Sequence, residues 1–213
     1  MDQDNRQTSL LLYNFLQCSS NDVFQTELKE LGNELTRVVL QGGRLEDDYE
    51  LQTDGNRCYF QMREEGELDS EGQEEIIRNI AIKLAQIGDE MEDSIQPNVV
   101  NDLISWLRNV NLPTEEKRRH LAATMDKVMQ TQTISQDLGQ EKAKLLLTML
   151  LAKKVMTHAP SLLRSIFYIT VDYINQNLLT YTRNLTHVSS KDDACLTLLG
   201  LISGLLLYVP VFS

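Results

Sequence analysis

QEKAKLLLTMLLAKKVMTHAPSLLRSIFYITVDYINQNLL, residues 140 to 179, decides the fold of this chain. Its first half contains the run LLLTMLLA (145 to 152), which would be apolar around the whole circumference of a helix. Such a helix is either fully buried in a protein or embedded in a membrane. Lysines bracket the run at Lys144 and at Lys153-Lys154, so the uninterrupted segment is much shorter than the ~20 residues that span a bilayer.

The second half of this stretch predicts a partner for the apolar helix. His158-Ala159-Pro160 indicates a turn, and Pro160 begins a helix that continues to about Tyr181. The two helices therefore predict a buried hairpin at the centre of a helical protein. A second interpretation stays open, in which the hairpin leaves that core for a membrane. Residues 142 to 188 carry six basic side chains and one acidic side chain, a balance that favours anionic lipid.

The rest of the chain also favours helices over strands. Only 6% of the residues are aromatic, and there are four prolines, whereas the good helix formers Leu, Gln and Glu are frequent. Apolar periodicity and capping residues predict further helices over residues 10 to 16, 23 to 35, 97 to 110 and 114 to about 130.

Negative charge is concentrated in the first third of the chain. Residues 1 to 75 hold 18 acidic and 6 basic side chains, while residues 76 to 213 hold 13 and 14. Residues 42 to 75 combine 12 acidic side chains and five glycines with no sustained apolar period. We therefore predict a long disordered loop over residues 42 to 72.

An amphipathic helix follows that loop, in SEGQEEIIRNIAIKLAQIGDEMEDSI (70 to 95). Small residues, Ala81, Ala85 and Gly88, lie beside its apolar stripe, with Asp89 beyond them. A helix built in this way fits a hydrophobic groove, allows close approach on its small side and offers a carboxylate to a cation. Five large apolar side chains lie within about 40° of one line along the helix: Ile76, Ile80, Leu84, Ile87 and Met91.

The last 20 residues, ACLTLLGLISGLLLYVPVFS (194 to 213), contain no charged side chain. Their length and hydropathy predict a C-terminal membrane anchor, and Gly200-x-x-x-Gly204 is a spacing found where membrane helices pack closely. Pro210 would shorten such a helix. Two alternatives stay open: a helix packed on the body of the protein, or a non-native sequence end.

The sequence gives no sign of catalysis or of a cofactor. His120, His158 and His187 stand in unrelated contexts, and neither metal-ligand spacings nor nucleophile or phosphate-binding motifs occur. We expect no enzyme, no metal, no cofactor and, without a basic stripe, no nucleic-acid binding. Three scattered cysteines and a polar, acidic N-terminus that is not a secretory signal favour the reducing cytosol.

Several motifs together resemble a pro-apoptotic agonist of the Bcl-2 family, over about residues 9 to 185. NFLQCSSNDVFQTELKELGNEL (14 to 35) is similar in pattern. The more specific motifs are LQTDGNR (51 to 57), QEEIIRNIAIKLAQIGDEM (73 to 91), LLAKKVMTHAPSLLRSIF (150 to 167) and YINQNL (173 to 178).

This resemblance implies an all-α, Bcl-2-like helical globule of about eight helices around a central hydrophobic hairpin. It also implies a domain organisation. Residues 1 to 41 form inhibitory helices, residues 42 to 72 form a regulatory cleavage loop, and residues 73 to 190 form the death-motif helix and core, one globular domain together with residues 1 to 41. Residues 191 to 213 are an additional apolar tail, because chains of the family normally end near residue 190.

The resemblance assigns the amphipathic helix to the third Bcl-2 homology region. Ile76, Ile80, Leu84, Ile87 and Met91 would then be groove anchors. Gly88 would allow close approach, and Asp89 would pair with an arginine at the partner's groove. The implied partners are Bax, Bak and anti-apoptotic Bcl-2 relatives, and the implied outcome is permeabilisation of the outer mitochondrial membrane with release of cytochrome c.

The resemblance also implies proteolytic activation and a change of location. Leu51-Gln52-Thr53-Asp54 followed by Gly55 is similar to an initiator-caspase site, and cleavage would move the chain from the cytoplasm to the anionic mitochondrial surface. If the tail at residues 194 to 213 is an anchor, the chain would reach mitochondria before cleavage. A second, granzyme-like site lies between Asp69 and Ser70, where Gly66 replaces the usual branched apolar residue.

Two alternative functions and one covalent modification are also open. In one alternative the hairpin forms pores directly, and in the other the apolar tail anchors a helical adaptor. The family's lipidation site corresponds to Gly55, but Tyr59 stands where the modification favours Ser or Thr. Cys58 is the alternative acylation site.

Overall fold

The computed structural model describes residues 3–18, 23–41, 68–131 and 139–188. Within these residues the chain is all-helical, with no strand, and the predicted fold class is confirmed. Two short 3-10 helices, Glu92–Ser94 and Pro160–Leu162, join longer elements. The eight α-helices of the described part are α1 (Gln3–Cys18), α2 (Gln25–Gln41), α3 (Leu68–Glu90), α4 (Pro97–Leu107), α5 (Thr114–Thr131), α6 (Gln140–His158), α7 (Leu163–Asn177) and α8 (Leu179–Val188).

Helix α6 lies at the centre and contacts α1, α3, α4, α5 and α7. The run of residues 145 to 153 is buried without interruption, as expected for a helix that is apolar on all sides. The next α-helix along the chain, α7, packs against α6 and buries its own apolar face through residues such as Ile166, Phe167 and Ile174. The interpretation of residues 140 to 179 as a buried hairpin therefore describes this structure.

The hairpin differs from the prediction in one detail. One helix was expected from Pro160 to about Tyr181, whereas a 3-10 turn comes first and the helix breaks at Leu178. Leu178 has φ −133° and ψ 12°, outside the α-helical region, and its side chain is buried. The break allows α8 to contact α1 and α3 as well as α7.

Helices α1 and α3 make the most extensive pairwise contact among the described helices. Polar contacts join α1 to two further helices: Arg183 of α8 pairs with Asp4, and the Thr8 hydroxyl donates to the side chain of Asn175 on α7 at 2.5 Å. The Arg183 guanidinium, through its hydrogen bond, holds the pKa of the Asp4 carboxyl below its usual value. Helix α1 thus packs directly on α3, the helix that the sequence predicts to bind a partner.

No helix within the described ranges combines the length and the hydropathy that crossing a membrane requires. The predicted tail at residues 194 to 213 lies outside the described residues, as does most of the predicted loop at residues 42 to 72. Residues 68 to 72, which were assigned to that loop, instead form the first turn of α3.

Replacing Val155 by Ala should lower the free energy of unfolding by about 2 kcal/mol, because the side chain is 0% exposed in α6 and its loss leaves a cavity. Urea denaturation measures the change. The same substitution at Val110, which is 91% exposed, serves as the control and should be nearly neutral. Equal losses at the two positions would contradict the central placement of α6.

Candidate partner-binding site

Helix α3 carries every predicted groove-binding residue except Met91, which directly follows the last residue of the helix, Glu90. Two glycines and no proline occur between Leu68 and Glu90. Beyond Glu90 the backbone tightens: the Met91 amide bonds to both Ile87 and Gly88 carbonyls, and the Ser94 hydroxyl donates to the Met91 carbonyl at 2.6 Å. Pro97 then begins α4 as its first residue.

The helix buries a different face from the one that its large side chains define. The residues of α3 that face the core are Ile77, Ala81, Leu84, Ala85 and Gly88. Their average direction is about 80° from the line of the predicted anchors. Leu84 is therefore the one predicted anchor that is buried, at 5% exposure.

The other four predicted anchors are half-buried. Ile80, Ile87 and Met91 pack against the edge of the core, and Ile76 is also of intermediate exposure. We call these four side chains, Ile76, Ile80, Ile87 and Met91, the ridge. In the intact chain the ridge keeps part of its apolar surface in water.

Close packing explains why the small side of α3 faces inward. A Cβ added at Gly88 would lie 3.1 Å from Cδ2 of Leu150 and 3.3 Å from the ring of Phe15. Both neighbours belong to the core, Leu150 on α6 and Phe15 on α1. Glycine at this position allows α3 to approach both helices at once.

Sequence reasoning missed Ile77, which is 1% exposed and lies on the buried side of α3. It follows Ile76 directly, so it falls outside the stripe of five large residues. The signal was present: Ile77, Ala81, Leu84 and Gly88 recur at helical spacing of three and four residues. A stripe of mixed large and small residues marks the face that packs closely on other helices.

The resemblance implies that Asp89 pairs with an arginine of another protein. In this structure Asp89 forms an ion pair within its own chain. Its Oδ1 atom lies 2.8 Å from Nζ of Lys153 on α6, and Oε2 of Glu92 lies 3.4 Å from the same nitrogen. The Lys153 side chain is 2% exposed, whereas those of Asp89 and Glu92 are 45% and 41% exposed. Lys153 does follow the apolar run directly, but its burial and its pairing with Asp89 were not predicted.

Helix α1 packs along α3, with Arg6 near Glu74 and Phe15 near Gly88. Arg6 donates to Glu74 at 2.7 Å, and both side chains are exposed to solvent. Exposed ion pairs of this kind contribute little, about 0–1 kcal/mol. Apolar burial therefore holds α1 in place: Leu11, Leu12, Phe15 and Leu16 are buried, and Phe15 lies against Gly88 of α3.

The candidate cleavage and modification sites divide between described and undescribed parts of the chain. Asp54, Gly55 and Cys58 lie outside the described residues. The bond between Asp69 and Ser70 lies in the first turn of α3. Proteases bind extended substrates, so cleavage there requires this turn to open.

Comparisons with known proteins agree with the resemblance. The family model described as BH3 interacting domain (BID) matches residues 1–188. A curated relative from Mus musculus, named BH3-interacting domain death agonist, is 50% identical over 181 residues, which cover 84% of this chain and 89% of the relative. A relative of the same name from Gallus gallus is 42% identical over 173 residues, or 81% of this chain and 89% of the relative. Neither name denotes an enzyme.

The two glycines of α3 allow a test of the close contact. Gly72→Ala should raise the free energy of unfolding by up to about 1 kcal/mol, because a Cβ there meets nothing within 4 Å and alanine favours the helix. Gly88→Ala should lose that gain, since Leu150 and Phe15 sit in a close-packed core and must shift. We expect Gly88→Ala to be about 1 kcal/mol less stable than Gly72→Ala in thermal or urea unfolding. A Gly88→Ala chain as stable as Gly72→Ala would show that α3 does not approach the core this closely.

Proposed function

The chain belongs to the BH3 interacting domain (BID) family, and from that premise we propose that it is a latent pro-apoptotic agonist. In this proposal α3 is the homology-3 helix that engages Bax, Bak and anti-apoptotic Bcl-2 relatives. The observation that carries the proposal is the half-buried ridge on a helix whose other face, with Ile77, Leu84 and the small residues, is buried in the core.

The ridge supplies the binding energy in this account. Complete burial of a large aliphatic side chain is worth about 1.5–3 kcal/mol relative to exposure in water. Ile76, Ile80, Ile87 and Met91 realise only part of this in the intact chain, because each keeps part of its surface exposed. A groove that encloses all four would gain the remainder, and Leu84 and Gly88 would join them once α3 has left its own core.

Latency follows from the buried side of the same helix. Leu84 and Gly88 face the chain's own core, and Asp89 is paired with Lys153. A partner can complete its contacts with these residues only after α3 separates from α1 and α6. The intact chain therefore offers the ridge but withholds the rest of the motif.

Cleavage after Asp54 is the proposed activating step. It would separate a segment containing α1 and α2, with 11 acidic and 4 basic side chains, from the rest of the chain. The segment has a net charge of −7, so the remaining fragment has −4 instead of −11. Once the covalent link is cut, α1 is held on α3 by non-covalent contacts alone and can dissociate.

The change of charge supports the proposed change of location. The remaining fragment, relieved of most of its negative charge, is repelled less by anionic lipid. We propose that the intact chain is cytoplasmic and that the fragment acts at the outer mitochondrial membrane, where permeabilisation releases cytochrome c. An initiator caspase is the proposed processing protease.

Ile80→Ala should weaken the binding of the caspase-cleaved chain to a purified anti-apoptotic relative by about tenfold or more, because an anchor of the ridge is lost. Isothermal titration calorimetry measures the affinity. Ile82→Ala is the matched control: Ile82 lies on the opposite side of the same helix, two residues away. Equal affinities for the two variants would mean that the ridge does not enter the groove.

Asp54→Glu should abolish cleavage between residues 54 and 55 by an initiator caspase, because these proteases require aspartate at this position. Fragment masses after incubation with the purified protease report the cut. Asp48→Glu changes an aspartate in the same acidic stretch and should leave the cleavage unaltered. Persistence of the same fragments in Asp54→Glu would refute the assignment of the site.

A further inference from the structure

Among the described residues that are buried, Lys153 is the one that carries a charge. It lies on α6 directly after the apolar run of residues 145 to 152, and its side chain is almost completely buried. A buried ammonium group requires opposite charge nearby. Among the described residues two carboxylates approach it, Asp89 at 2.8 Å and Glu92 at 3.4 Å, from the end of α3 and the turn that follows.

Lys153 depends on Asp89 and Glu92 for its charge partners more than the two carboxylates depend on Lys153. Asp89 and Glu92 are 45% and 41% exposed, so they remain hydrated on one side. Lys153, at 2% exposure, is almost completely shielded from solvent and relies on them. Displacing the end of α3 while α6 stays in the core would leave the lysine without its counter-ions. The ion pair therefore opposes movement of α3 more strongly than a surface pair would.

The same face of α6 also provides the apolar contact next to this ion pair. Leu150, one turn before Lys153, touches the position of Gly88, and Lys153 binds the next residue, Asp89. Residues three apart on a helix share a face. One surface of α6 thus meets the Gly-Asp pair with an aliphatic side chain and a cation.

We propose that this surface, Leu150 with Lys153, is an internal substitute for a partner's groove and that Lys153 is the latch that retains α3 in the intact chain. The inference rests on the proposed function for the partner side only. A partner's cation needs the carboxylate of Asp89, and that carboxylate is already bound to Lys153. Lys153 therefore competes with the partner for the same atoms.

Lys153→Met removes the ion pairs of the latch while it keeps an apolar side chain in the core. Methionine retains a flexible apolar chain at the site and removes the charge. The fold should survive the change, because it leaves no buried charge without a partner. Asp89 and Glu92 would simply be hydrated. Lys154→Met is the matched control, with the same change at the adjacent, half-buried lysine, which takes no part in the ion pairs of the described residues.

The test uses the full, uncleaved chain and two independent measurements. Without any partner, amide hydrogen exchange of residues 84 to 92 should be about tenfold faster in Lys153→Met than in wild type or Lys154→Met, as expected for the loss of a buried charge pair. With a purified anti-apoptotic relative, Lys153→Met should bind about tenfold more tightly than Lys154→Met. Unchanged exchange in Lys153→Met would overturn the latch, whatever the binding data show.

The remaining outcomes are also decisive. Faster exchange in Lys153→Met, with no binding by any variant, would support the latch and reject the proposed function. Faster exchange together with binding no tighter than that of Lys154→Met would show that Lys153 does not compete with the partner, and would overturn the inference. Should Lys153→Met exchange rapidly in every helix, Glu92→Gln replaces it. This variant should speed exchange of residues 84 to 92 by about threefold, and no effect there would again overturn the latch.

Discussion

The close contact between α3 and α6 at Gly88 is the constraint on which the rest of the structure depends. Because a Cβ at this position would lie 3.1 Å from Leu150 and 3.3 Å from Phe15, the small side of α3 has to face the core. The large side chains of the ridge are then directed to the edge of the core, where they are half-buried. Stability and availability for binding are divided between two faces of one helix.

The central position of α6 makes this arrangement possible. A helix that is apolar on every side presents a usable surface to each neighbour, so α1, α3, α4, α5 and α7 all pack on it. The arrangement also creates the unusual environment of Lys153, the one charged side chain in the buried run from residue 145 to 153. A charge in such a place is expensive unless it is paired, and its pairing with Asp89 links the core of the protein to its candidate binding residue.

Much of the fold could be predicted from the sequence, because it depends on local patterns. The all-round apolar character of residues 145 to 152 predicted the buried helix, and Pro97 and Pro160 indicated where elements begin. The ridge was also visible, since helical periodicity places its members on one line. The amphipathic helix was predicted as a unit, although its first turn begins at Leu68, within the stretch assigned to the acidic loop.

What the sequence did not show depends on contacts between distant residues. The helical spacing of α3 offers two candidate faces, the ridge and the stripe of Ile77 with small residues, and the contacts with Leu150 and Phe15 decide between them. The pairing of Lys153 with Asp89 joins residues 64 positions apart, and a lysine at the end of an apolar run looks like a solvent-exposed boundary. The break at Leu178 likewise reflects the packing of α8 on α1 and α3 rather than any proline or glycine.

The most direct measurement is the structure of the caspase-cleaved chain bound to an anti-apoptotic Bcl-2 relative. The account predicts that α3 occupies the groove with Ile80, Leu84 and Ile87 enclosed and with Asp89 paired to a cation of the relative. A complex in which another surface of this chain fills the groove, while Leu84 and Gly88 stay against Leu150, would contradict it.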